Sequence, residues 1–202
     1  ADFAETFLFR LSPYASVYLG PEGMLGGEAR ARVAGFWRAV GRVPPNEPDH
    51  LGALVGRYAS LLEEGSRSEG AEAEIARQAA AALLFEHLAP WAFDYLQRVE
   101  ALGAECYGPW ARLLSRTLGA EMTHAGAPGG LPVHLSEAPS LPDPREAGGE
   151  AFLSGLLAPV RAGVILTRND LSRLAKAENL GLRMGERRYV LEHLLAQEPS
   201  AV

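Results

Sequence analysis

The chain has 202 residues, 48% apolar, with 19 basic and 25 acidic side chains and a formal charge of −6. That suffices for one ordinary domain with a real core, or one domain with an appendage. The acidic balance argues against nonspecific nucleic-acid binding, which needs a basic patch. No run of about 18 apolar residues suggests a membrane-spanning helix.

Helical periodicity dominates the chain. Asp2 can cap a first helix carrying Phe3, Phe7, Leu8 and Leu11. Ser12-Pro13 turns the chain into Tyr14–Leu19, and Gly20-Pro21-Glu22-Gly23 with Gly26-Gly27 marks an irregular loop. Glu28 to Val40 reads as a helix with Val33, Phe36, Trp37 and Val40 on one face and Gly41 as its C-cap. Pro44-Pro45-Asn46 then cannot be helical.

Glu47-Pro48-Asp49-His50-Leu51 follows, and Leu51, Leu54, Val55, Tyr58, Leu61 and Leu62 carry a helical stripe to about Gly65. Pro48 suits a first helical turn, and Glu47 and Asp49 suit the positive end of the helix dipole. His50 is the side chain there that titrates near neutrality. Such a corner reads first as a cap, second as a binding corner and third as an acid/base pair.

Ser68 to Ala89 is the longest helical signal, with Ile75, Leu83, Leu84 and Leu88 expected inside. Pro90 interrupts it, and Trp91 to Leu102 continues as a new or kinked helix. Cys106 to Met122 forms another amphipathic helix through Tyr107, Trp110, Leu113, Leu114 and Leu118. The tryptophans read as core residues. Residues 125–149 are dense in Gly and Pro and read as a loop or tether. Glu150–Leu157 is a short helix, and Val160–Thr167 is a short stretch of extended character. Thr167 and Asp170 have capping-box spacing for a helix reaching Asn179, with Gly181 after it. A last helix spans Glu186 to Gln197. The fold class is therefore all-α: a helical bundle at 1–124, a tether at 125–149 and a small helical C-terminal extension at 150–202.

Chemical motifs are sparse. Gly126–Gly130 lacks the lysine of a phosphate loop, since the only lysine is Lys176. His50, His87, His124, His134 and His193 include no pair at helical spacing, so no metal site is expected and His124 and His134 read as solvated loop residues. Cys106, the single cysteine, permits no intrachain disulfide and lacks a visible activating partner. The chain opens without a basic segment and apolar run, so no signal peptide is expected, and Arg187-Arg188 sits too late to serve export.

Three blocks resemble the TorD/DmsD/NarJ-like chaperones of molybdoenzymes. They are Ser12-Pro13-Tyr14-Ala15-Ser16-Val17-Tyr18-Leu19, Glu47-Pro48-Asp49-His50-Leu51 and Phe85-Glu86-His87-Leu88-Ala89-Pro90-Trp91. The resemblance spans residues 12 to 122. It implies a TorD-like, cytoplasmic, non-enzymatic chaperone without a cofactor. Its partner would be a molybdoenzyme catalytic subunit or that subunit's twin-arginine leader peptide. Glu47, Pro48, Asp49 and His50 would contribute to the peptide site, with Tyr14 and Tyr18 in its groove. Carboxylates can pair with the leader's guanidinium groups, and an aromatic groove can hold its apolar stretch. Only 46 residues precede Glu47. The implied layout is thus a reduced N-terminal half and an added C-terminal extension, with a homodimer by helix exchange as one arrangement the tether allows. Two other readings stay open: a helical adaptor for an unrelated protein, and an acid/base enzyme using Asp49 and His50.

Overall fold

The structure, a computed structural model, describes residues 2–20, 24–103, 105–126 and 129–197. Pro21, Glu22 and Gly23 of the first loop and Pro128 of the second therefore lie outside the described residues. Every regular element among the described residues is helical, and one isolated antiparallel bridge joins Tyr14 to His50.

The chain starts with a π-wound segment, Ala4–Arg10. Phe7 and Leu11 are buried as expected, but Leu8 is 66% exposed and Phe3 54%. Wide winding breaks the 3.6-residue register on which the expected face rested. Helix α1 (Ala15–Leu19) and α2 (Gly27–Ala39) follow. Gly41 ends α2 as read. It holds φ +71°, Gly41 N–H donates to Arg38 C=O and Arg42 N–H to Trp37 C=O, both at 2.9 Å. This is the left-handed cap for which glycine carries no Cβ penalty.

Helix α3 (Leu51–Arg67) packs against α4 (Gly70–Ala82). Ser68 ends α3 rather than opening the next helix, its N–H bonded to Glu64 C=O at 3.0 Å. The buried face of α4 is Ala73, Ala76 and Ala80, while Ile75 is 66% exposed, against expectation. A Cβ built on Gly65 would lie 3.6 Å from the Ala76 methyl, so small residues let the two backbones approach closely. A branched chain such as Ile75 would hold them apart, and the helix turns it outward.

Pro90 does not break the chain. A π-wound turn, Leu83–Leu88, links α4 to α5 (Ala89–Ala101) without a gap, and Ala89 N–H reaches Leu84 C=O five residues back. Proline removes one N–H and crowds the preceding turn, and π-winding shifts the bonding register there. Trp91 indole N–H donates to His87 C=O at 2.8 Å across this turn. Helix α6 (Tyr107–Ala125) packs along α5. Leu54, Leu83, Leu84, Leu88, Trp91 and Tyr95 fill the main core, each at most 2% exposed.

Beyond α6, residues 129–148 are not a free tether. They carry α7 (Val133–Ser136) and α8 (Pro144–Ala147). They are also clipped to their surroundings. Val133 N–H donates to the Glu86 carboxylate at 2.8 Å, Arg32 pairs with Glu137, and Arg161 donates to Pro139 and Ser140 carbonyls. Helices α9 (Gly149–Leu156), α10 (Pro159–Ala162), α11 (Arg168–Ala177) and α12 (Arg187–Gln197) complete the chain. Leu153, Leu171, Val190, Leu191 and Leu194 form a second, smaller core, while Ile165 enters the main one. The Thr167–Asp170 capping box forms as read. The end of α11 differs: Asn179, at φ +54°, takes the left-handed position, and Leu180 N–H closes onto Ala175 C=O at 2.7 Å. Asparagine tolerates that conformation, so Gly181 is not needed there.

Replacing Leu84 by Ala removes a fully buried side chain and should cost about 2–5 kcal/mol in a denaturant melt. Ile75→Ser should stay within about 0.5 kcal/mol of the parent, as expected for an exposed site.

Candidate functional site

The corner at Glu47–Leu51 is built differently from its sequence reading. The first residue of α3 is Leu51, and His50 is its N-cap. Pro48 is therefore not at N1, and no acidic residue stands in the first turn. The His50 Nδ1 accepts from Gly52 N–H at 3.0 Å. An accepting Nδ1 places the proton of the neutral ring on Nε2.

Asp49 caps a different helix. It is 1% exposed, and its carboxylate accepts from Ser16 N–H at 3.2 Å while its carbonyl accepts from Ala15 N–H at 3.0 Å. These are the first two amides of α1. The favour is returned by Pro13, whose carbonyl accepts from Leu51 N–H at 2.8 Å at the start of α3. Two helix starts, at Ala15 and Leu51, thus satisfy each other's unpaired amides. Arg30 approaches the same carboxylate at 4.0 Å and donates to Asn46 C=O, and Trp37 indole N–H donates to Pro48 C=O at 3.3 Å.

Among the six residues expected in the site, Glu47, His50 and Tyr14 meet at the surface. Tyr14 hydroxyl donates to the Glu47 carboxylate at 2.8 Å, and its ring stands edge-on to His50 at 5.1 Å. The carboxylate on its hydroxyl, with burial second, holds the Tyr14 phenol above its ordinary range. Pro48 and Asp49 are buried beneath them. Tyr18 belongs to the core rather than to an open groove. It is 4% exposed, stacks on Trp91 at 5.3 Å, and donates to Ser12 C=O at 2.7 Å. Burial pushes its phenol well above the usual range.

His50 lines an apolar groove of about 280 Å³ with Phe3, Phe7, Pro13, Val55, Tyr107 and Trp110. The N-terminal π segment, α3 and α6 bring these residues together. Phe7 meets Tyr107 and Trp110 edge-to-face at 4.7 and 6.3 Å. Trp110, expected in the core, is 39% exposed, and Phe3 is 54% exposed. The sequence did carry a signal for this wall. Helix α6 has more large apolar residues than one buried stripe needs.

The third block of the resemblance, around His87, meets the strap formed by residues 129–148. His134, expected to be solvated, is buried at 8%, with its ring 6.0 Å from that of His87. Burial above all, then the neighbouring His134 and Arg32, push the His87 imidazole down to about 4. His134 is pushed down for the same first reason. No group of three or more His, Cys, Asp or Glu among the described residues is placed to hold a metal ion. No helix among them is long and apolar enough to cross a membrane.

Asp49→Ala leaves the buried Ser16 N–H unpaired and should cost about 1–3 kcal/mol in a denaturant melt. Protonation of His87 is favoured in the unfolded chain, so its contribution to stability is complete above about pH 6.5 and falls away toward pH 4. A His87→Phe variant should therefore lose less stability than the parent between those two pH values.

The corner, the groove and the His87–Trp91 turn all lie within or beside the segment for which comparison with known proteins is informative. Residues 1–97 match the family model described as nitrate reductase delta subunit. No curated protein and no solved structure gives a significant match. Those 97 residues are similar to the nitrate reductase delta subunit family, which belongs to the TorD/DmsD/NarJ group of molybdoenzyme maturation chaperones.

Proposed function

We propose that this protein is a cytoplasmic chaperone that holds a segment of a molybdoenzyme catalytic subunit in the groove between the N-terminal π segment, α3 and α6. The groove carries this reading: an apolar channel, walled by aromatics, with a few polar groups at one rim. A twin-arginine leader has the matching chemistry. Its apolar stretch would bury Phe3, Val55 and Trp110. Its guanidinium groups would face Glu47, which is exposed and gives only one oxygen to Tyr14. His50 would donate its Nε2–H to a backbone carbonyl of the client. Asp49, Pro48 and Tyr18 would act by holding this rim in place, not by touching the client. The same groove would suit another apolar segment of the catalytic subunit.

An acid/base enzyme has less support here. Asp49 is buried on the α1 amides, and the His50 Nδ1 is already occupied by Gly52. The two groups assigned to proton transfer thus each hold a helix start. A helical adaptor for an unrelated protein would use the same groove but would show no preference for a molybdoenzyme segment.

Fluorescence anisotropy with a labelled leader peptide separates these readings. Val55→Arg should weaken binding at least about tenfold by placing a charge in the apolar channel. Glu47→Gln should weaken it about threefold to tenfold through the lost charge pair. Equal affinity for a scrambled peptide of the same composition, or unchanged affinity in both variants, would overturn the assignment. Circular dichroism of each variant confirms that the helices remain.

A further inference from the structure

A second, larger cavity lies on the other side of the Leu11–Pro13 segment. It encloses about 790 Å³ between the N-terminal segment and the C-terminal extension, a volume typical of small-molecule sites. Its accessible apolar surface comes from Phe9, Val17 and Leu157, over the buried Leu11, Tyr18 and Ile165. Its charged surface is unusual for an acidic chain: Arg10, Arg168, Arg187 and Arg188, against the single carboxylate of Glu186.

Two of these arginines are neutralised. Arg10 bonds to Glu5 at 2.7 Å, and Arg188 bonds to Glu192 and Glu150 at 2.9 and 2.6 Å. Arg168 and Arg187 have no carboxylate within 4 Å among the described residues. Arg187 is half-buried and donates one N–H to Leu166 C=O at 2.8 Å, so most of its five donors remain for another acceptor. Burial above all, with the like charge of Arg168 adding, disfavours its charged form, and Tyr18 acts the other way. Two uncompensated guanidinium groups close enough to feel each other make a site that an anion would relieve.

We propose that this cleft binds a small organic anion, with a flat apolar body on Phe9, Val17 and Leu157 and a phosphate, sulfonate or carboxylate group on Arg168 and Arg187. The reading does not depend on the peptide groove. The guanidinium fork fits each of these groups in a bidentate manner, and the apolar wall favours an aromatic or heterocyclic body over a bare inorganic ion.

The full chain is titrated with 1-anilinonaphthalene-8-sulfonate, followed by its fluorescence, and with the uncharged N-phenyl-1-naphthylamine. The anion should bind more tightly than its neutral analogue. Arg187→Gln should weaken the anion about tenfold or more and leave the neutral dye within about twofold. Arg168→Gln, at an exposed position, carries the same comparison without risk to the fold and should weaken the anion about threefold or more. Displacement by AMP but not adenosine identifies a phosphate-bearing ligand, and displacement by 1-naphthoate alone identifies a carboxylate. Unchanged anion affinity in Arg168→Gln, equal binding of the neutral dye, or displacement by neither competitor overturns the proposal. Tighter displacement by an oligoglutamate peptide overturns it as well, and assigns the cleft to an acidic polypeptide.

Discussion

The structure depends on one exchange of hydrogen bonds. Asp49 and Pro13 supply acceptors to the first amides of each other's helices, so that α1 and α3 begin at a common point. A helix start leaves several amides without partners, and burying them unpaired would be costly. Here the two starts are buried against each other and the cost is met locally. The short bridge between Tyr14 and His50 is the visible trace of that pairing.

Much else follows from this junction. It sets α1 so that Tyr18 stacks on Trp91 in the core, and Tyr95 hydroxyl reaches Leu11 C=O at 3.3 Å. It places His50 at the head of α3, beside the groove that the π segment and α6 wall off. The segment Leu11–Pro13 contributes to both cavities: Leu11 and Ser12 line the basic cleft, and Pro13 lines the groove. Chaperone chemistry fits such a design. An apolar channel gives affinity without demanding one sequence, and a sparse polar rim gives orientation.

The Gly/Pro-rich segment and the C-terminal extension serve the same body. The strap is fastened by Glu86, Arg32 and the buried His87–His134 contact. Ile165 enters the main core, and Arg98 pairs with Asp170 at 3.2 Å. The C-terminal helices therefore contribute core and one wall of a cavity, while keeping a small apolar cluster of their own.

Read alone, the sequence determined the helical class, the chain positions of most helices, the Gly41 cap and the Thr167–Asp170 capping box. These are local properties: periodicity and the chemistry of neighbouring residues suffice for them. It also supplied the family resemblance, through short blocks in a defined order. Only the tertiary structure decided which helix Asp49 caps, that Tyr18 is core and Trp110 is not, and that His134 is buried against His87. It likewise turned Ile75 outward, because the Gly65–Ala76 seam leaves no room for a branched side chain. Each of these outcomes rests on a partner distant in sequence. A cap pattern names an acceptor but not its donor, and an apolar stripe names a face but not how much of it a neighbour will cover.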